Sequence, residues 1–343
     1  MLIGALAFAA SVPAGKILLR DLPPMAISGG LYLAAGCFCG ILLLASSRSA
    51  GQTQNRLRGR EWAWLAASVG FGGVLGPLAL FFGLRWTSGY VAGLLLNFEA
   101  VFTVGLGALL SAERVGSRGL RGIALVILGA VVLSSIGRSD AVESRPLGAL
   151  LVVAACACWG LDNNVTQRIS LRDARQIVAI KGLVGGAASL GVAALFGQLG
   201  GWSASTLANV VVVGAVSYGL SIVLFIRGLR GLGVIHTGAL FALAPGFAAI
   251  LSWLVLREPV PPLASLALLG MTGGAVLLAT DVHEHTHRHE ALEHAHVHEH
   301  DEHHQHEHTP EELAQVPHAH WHRHEPLTHR HAHTHDIHHR HSH

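Results

Sequence analysis

The chain has 343 residues, of which 51% are hydrophobic and 13% charged, with 41 glycines and a formal net charge of +2. A soluble globular domain carries about 25% charged residues, so this composition excludes an ordinary soluble enzyme, a nucleic-acid binder and a disordered regulator. The near-neutral total hides two unlike parts: residues 1–280 hold 19 basic and 9 acidic residues, whereas residues 281–343 hold 4 basic and 12 acidic ones together with 24 of the 25 histidines.

A helix crosses the hydrocarbon core with about 20 mostly apolar residues. Ten stretches meet that requirement in chain order: 2–19, 25–45, 62–84, 89–110, 119–136, 147–167, 176–197, 207–226, 234–256 and 263–280. Arg, Gly, Ser and Pro mark the connections, as in "RDLPP", "RWTSG", "ERVGSRGLR" and "REPVPP". Residues 1–20 are read as a true first helix rather than a signal peptide, because no positive segment precedes the apolar run and no cleavage pattern follows it.

Orientation follows from the basic residues of the loops. The connections after the second, fourth, sixth and eighth stretches carry 12 arginines and the alternate connections carry 5. Both termini are therefore expected on the cytoplasmic side of a plasma (inner) membrane. Small residues four apart, such as Gly36/Gly40, Gly72/Gly76, Gly182/Gly186 and Gly270/Gly274, suit close helix packing in lipid. Cys37/Cys39 and Cys156/Cys158 lie two apart on helices, about 200° around, and read as small packing residues rather than metal ligands.

A shift of 145 residues lays 83–133 over 228–278 without a gap, matching Gly83 with Gly228, Arg85 with Arg230, Gly93 with Gly238, Phe102 with Phe247 and Glu113 with Glu258. Each copy holds five apolar stretches, and an odd number inserts the second copy upside down. The expected fold is an all-α polytopic membrane protein of two inverted five-helix repeats, 1–136 and 147–280, followed by a disordered His-rich tail at 281–343.

The stretches "GLRWTSGYVAGLLLNFEAVF" and "SAERVGSRGLRGIALVILGAVVL", the second-copy ending "LREPV", and "CWGLDNNVTQRISLRDARQIVAIKGLVGG" resemble the EamA family of the drug/metabolite transporter superfamily. The resemblance covers nearly all of residues 1–280. It implies a ten-helix transporter of two units, often an exporter of small metabolites, that needs no cofactor for transport and names no substrate. Family members often have Pro after the acid of the fourth helix. Here that position is Ala100, whereas the second unit keeps Pro245, so the first unit is expected to be less kinked.

Ionisable and polar residues inside apolar stretches are functional candidates by default. Glu99, beside Asn97, lies mid-helix and is a candidate for substrate or proton binding. Asp162 and Lys181 flank the turn near 171–172 at similar distances, so antiparallel packing sets them at one depth, with Asn163 and Asn164 beside Asp162. Their alternative is a structural pair near the cytoplasmic interface. Tyr90, Lys16, Trp159 and His236 are weaker candidates, Tyr90 being kept in the substrate set and Lys16 reading as a residue that reaches the headgroups. Glu113 and Glu258 read as structural helix-end acids.

The tail alternates histidine with other residues in four blocks: His283, His285, His287, His289; His294, His296, His298, His300; His318, His320, His322, His324; and His329, His331, His333, His335. A shift of 35 superposes the 12 histidines of the first half on the 12 of the second, so the tail is a tandem duplication. Neutral imidazole ligates zinc, nickel and other divalent ions, and alternation puts every second side chain on one face of an extended chain. The alternative is a solvated tail with incidental metal affinity.

The expected partners are the lipid bilayer, a small-molecule substrate and divalent metal ions, with no nucleic acid and with a homo-oligomer left open. The leading function is a secondary transporter exporting a small metabolite or a metal-chelating compound under control of a metal-binding tail. The alternatives are direct export of zinc, nickel or cobalt, or a membrane-anchored metal sensor. An intramembrane enzyme is least favoured, because no catalytic motif falls on facing helices.

Overall fold

The computed structural model describes residues 1–46, 57, 59–111, 115–136, 145–169, 172–231, 240–258 and 260–281, and four segments of the tail, 283–289, 292–298, 318–324 and 327–333. The body, Met1–Asp281, and the tail segment Val282–Thr334 form separate compact units.

The described body is helical. In chain order its helices are α1 Leu2–Ala9, α2 Ser11–Leu18, α3 Pro24–Ser46, α4 Glu61–Ser68, α5 Gly76–Arg85, α6 Gly89–Leu95, α7 Phe98–Ser111, α8 Ser117–Ile136, α9 Pro146–Gln167, α10 Ala174–Leu195, α11 Ala204–Val213, α12 Ser221–Gly231, α13 Ala244–Leu256 and α14 Pro262–Ala279. Among the described residues seven helical runs are long and apolar enough to cross a membrane, and Leu2–Leu18 and Ala244–Leu256 are shorter apolar helices. The chain is a multi-pass membrane protein. Large apolar side chains such as Leu44, Leu109, Leu195 and Leu269 are exposed, as expected of a surface solvated by lipid chains.

Helix ends follow local chemistry. Ser88 Oγ accepts from Val91 N at the start of α6, Asp173 Oδ1 from Arg175 N at the start of α10, and Ser203 Oγ from Thr206 N at the start of α11. Proline occupies the first turn of α5, α9, α13 and α14, where its missing N–H costs nothing. Gly201, at φ 89°, presses its backbone on Asp21 O, a conformation and an approach that a side chain would forbid.

Two π-helical segments, Val69–Leu75 and Gly214–Leu220, interrupt α4/α5 and α11/α12. They are 145 residues apart, so each repeat carries the same wide turn at the same place. Such turns are often found at functional sites.

Packing rests on small residues. A Cβ on Gly182 would meet Gly36 Cα at 2.6 Å, and one on Gly186 would meet Gly29 O at 2.8 Å, so α3 and α10 touch backbone to backbone. Gly122 and Gly274 do the same for α8 and α14, with a Cβ on Gly274 meeting Gly122 O at 2.7 Å. Gly40 and Gly270 face open space, so only one member of two of the expected glycine pairs is used. All four cysteines are free; Cys39 and Cys156 are buried and Cys37 is exposed.

Two expectations are corrected. The first repeat is not less kinked: α6 ends at Leu95 and α7 begins at Phe98, 146 residues before α13 begins at Ala244. Tight bonds from Asn97 N to Leu94 O and Glu99 N to Leu96 O, with Asn97 Nδ2 donating to Leu94 O, break the ladder without a proline. The tail is not unstructured throughout. Strands β1 His283–His289 and β4 Leu327–His333 pair antiparallel, as do β2 Leu292–His298 and β3 His318–His324. Alternating residues suit a strand. The rungs His283↔His333 and Leu292↔His324 share one continuous register, so the two duplicated units pair crosswise. His300 and His335 lie outside the described residues, as do Glu113, His236 and the loop arginines Arg48, Arg56, Arg58 and Arg114.

Candidate transport site

Polar side chains meet where α4, its following π turn, α7, α9 and α10 converge. Asp162, one turn after Trp159 on α9, is buried. Its Oδ2 takes the Lys181 ammonium from α10, and its Oδ1 accepts from Ser68 Oγ at 2.5 Å and Thr166 Oγ1 at 3.0 Å. The side chains of Lys181 and Asp162 are 11% and 8% exposed, so the two opposite charges neutralise each other out of bulk water. Desolvation offsets much of that attraction, and the extra hydroxyl donors are what make such a pair tolerable. Gly72 makes room for it, because a Cβ there would run into the Asp162 carboxylate and come within 2.6 Å of Lys181 Nζ. The wide π turn also leaves Gly72 O facing Trp159 Nε1, at 3.4 Å.

Glu99 stands differently. It lies in the first turn of α7, just past the break, and is half-buried. Asn163 Nδ2 donates to Glu99 Oε1 at 3.0 Å and to Thr103 Oγ1 at 3.1 Å, and Asn164 Nδ2 donates to Thr103 O at 2.9 Å. Asn163 is exposed although it sits on a span-length helix. An exposed amide bonded to a half-buried carboxylate makes a polar strip on facing sides of α7 and α9.

Aromatic rings lie nearby. Phe8 on α1 packs edge-on against Trp159 at 6.4 Å and Tyr218 at 6.0 Å between centroids, and Phe241 stands 5.6 Å from Phe8. Tyr32 and Tyr218 are 5.2 Å apart. Charged groups thus sit beside an apolar wall, a common make-up for a small-molecule pocket.

The structure therefore brings together Glu99, Asn163, Asp162 and Lys181. It does not bring in Tyr90, whose hydroxyl donates to Ala264 O and whose N–H donates to Glu258 Oε2. Asn97 is buried and turned back on its own helix. Lys16 does not reach for headgroups; its ammonium donates to Leu84 O at 2.6 Å and Thr87 O at 2.7 Å. Ser68, Thr103, Thr166 and Gly72 are absent from the sequence-derived set. A hydroxyl or a glycine in an apolar helix is too common to single out without the fold. Among the described residues no group of three or more His, Cys, Asp or Glu is placed to hold a metal.

The model of the EamA-like transporter family matches residues 1–135 and again 146–280. The chain belongs to the EamA-like transporter family. This EamA-like chain is 30% identical over 286 residues to an uncharacterized transporter of Methanothermobacter thermautotrophicus, spanning 79% of the chain and 82% of that protein. It is 28% identical over 173 residues to a probable amino-acid metabolite efflux pump of Escherichia coli, spanning 48% of the chain and 50% of that protein. A solved crystal structure shares the fold, with a TM-score of 0.60 at 21% identity, covering 81% of this chain and 95% of that one. EamA-like membership makes the protein a membrane transporter, with the bilayer as its solvent and a small molecule as its substrate.

Proposed function

We propose that this EamA-like protein is a secondary exporter of a small metabolite or metal-chelating compound, built of ten spans in two inverted repeats, with both termini in the cytoplasm. The observation that carries this reading is the contrast between two intramembrane carboxylates. Asp162 is committed to Lys181, Ser68 and Thr166, whereas the half-buried Glu99 has the exposed Asn163 as its side-chain partner. A carboxylate so placed binds a substrate ammonium or exchanges a proton; the committed pair holds α9 and α10 in register behind it. The amides of Asn163 and Asn164 and the ring of Trp159 suit an amino-acid-like metabolite, in keeping with the Escherichia coli relative described as a probable amino-acid metabolite efflux pump. The tail binds zinc, nickel or another divalent ion through its alternating imidazoles and tunes export. The alternatives are direct divalent-metal export and a membrane-anchored metal sensor.

The test has two parts. Metabolites and metals are first compared in cells with and without the protein. Flux of whichever compound changes is then measured in proteoliposomes under a pH gradient. Glu99→Gln is expected to lower proton-driven flux by about 100-fold, while Glu99→Asp retains part of it. Undiminished flux in Glu99→Gln refutes the role of Glu99. Flux of the metal itself, lost in Glu99→Gln, moves the conclusion to direct metal export.

A further inference from the structure

The link between α5 and α6, residues 86–88, and the backbone that flanks it carry a second set of polar contacts. Four elements grip that link. Glu258, just past α13 in the second repeat, accepts from Gly89 N through Oε1 at 2.8 Å and from Tyr90 N through Oε2 at 2.7 Å. Lys16 at the end of α2 donates to Leu84 O and Thr87 O, so the link is held by a cation on its carbonyls and an anion on its amides. Arg145 N, at the start of α9, donates to Trp86 O at 2.8 Å. Tyr90 Oη donates to Ala264 O of α14 at 3.0 Å.

The seam these bonds close is not a permanent core. Thr87 and Ser252 are each 0% exposed, yet among the described residues neither Thr87 Oγ1 nor Ser252 Oγ has a hydrogen-bond partner. A Cβ on Gly89 would meet Ser252 Oγ at 2.9 Å, and one on Gly148 would press on Thr87 Oγ1, so both hydroxyls lie in the seam itself. A buried unpaired hydroxyl costs stability, whereas water satisfies it fully. Such groups weaken the closed seam and favour a hydrated one. A cavity of about 280 Å³ lined by Lys16, Arg20, Arg85 and Glu258 abuts the latch.

We propose that Glu258 is a latch of the transport cycle: its carboxylate holds the second repeat on the start of α6, and its release opens the α5–α6 seam. This rests on the transporter reading above, and the test separates the two because it needs neither substrate nor flux. The four native cysteines are replaced, and Thr87→Cys is introduced as a reporter. The full chain is placed in lipid nanodiscs, where both faces meet the reagent, and reaction with a water-soluble maleimide is timed. Glu258→Gln keeps the size of the side chain and one acceptor while losing the charge and the second acceptor. It is expected to speed labelling of Thr87→Cys by about tenfold, the effect of one charge-assisted bond on a two-state equilibrium. Ser221→Cys, equally buried but on α12 with its native hydroxyl paired to Ser217 O, is expected to label at the same slow rate in both backgrounds. An unchanged rate at Thr87→Cys overturns the proposal, and so does an equal acceleration at Ser221→Cys, which would mark general loosening.

Discussion

Asp162 and Lys181 show what one residue decides. Opposite charges at 8% and 11% exposure depend on each other. Removing one partner strands the other charge, at a cost of about 3–5 kcal/mol, whereas removing both leaves no orphan. Lys181→Met is therefore expected to lower the thermal midpoint of the protein in detergent sharply, and Asp162→Asn added to it to recover much of the loss. A double variant less stable than Lys181→Met alone would show that the pair does not hold α9 to α10. The pairing was legible in the sequence because both residues lie equally far from one turn, and depth along antiparallel helices is simple counting. Tyr90 lies apart from that pair for the complementary reason. Counting gives depth but not which way round its helix a residue points, and Tyr90 faces Ala264.

At the scale of elements, backbone contact matters more than composition. Gly182 lies against Tyr32 O and Gly36 Cα, while Gly40 and Gly270 face open space. Gly182→Val forces α3 and α10 apart and is expected to remove most folded protein from the membrane. Gly40→Ala and Gly270→Ala are expected to change stability by no more than about 0.5 kcal/mol, as for substitutions away from any special contact. Size-exclusion profiles and thermal midpoints of the three variants check both expectations. The glycine spacing was visible in the sequence for all four positions; which glycines meet a neighbour was not, because it depends on helix rotation. The break between α6 and α7 teaches a similar lesson. Ala100 in place of proline suggested a straighter helix, but the interruption comes from Asn97 and from bonds of three-residue spacing. The two π turns had no sequence signal beyond their glycines and appear as a pair only once both repeats are folded.

For the molecule as a whole, the division between body and tail sets how metal enters. Asp281 closes the body: its Oδ2 accepts from Gly116 N at 2.7 Å beside the start of α8, so a tail deletion that spares the body begins after it. Imidazole ligates only when neutral and has an ordinary pKa of about 6.5. Protons and metal therefore compete, and affinity falls as pH drops through that value. The full chain is expected to bind several zinc ions by titration calorimetry at about pH 7.5 and to lose most of that binding near pH 5.5. The chain lacking residues 283–343 is expected to bind none tightly at either pH. Retained tight binding in the shortened chain would place the metal in the body instead.

The sequence by itself determined the properties that follow from counting along the chain. Apolar length marks helices that cross a membrane, the 145-residue shift marks a duplicated body, and uneven charge separates a cationic body from an anionic histidine tail. These are one-dimensional quantities, and the bilayer makes them decisive because it admits few backbone structures. Tertiary structure alone decided which polar atoms meet. It committed Asp162 to three donors, paired Glu99 with Asn163, turned Asn97 back on its own helix, and set Lys16 and Glu258 on one link. Those outcomes depend on the rotation and crossing of helices. Rotation and crossing are set by where glycine lets backbones touch, and no spacing along a single helix contains that information.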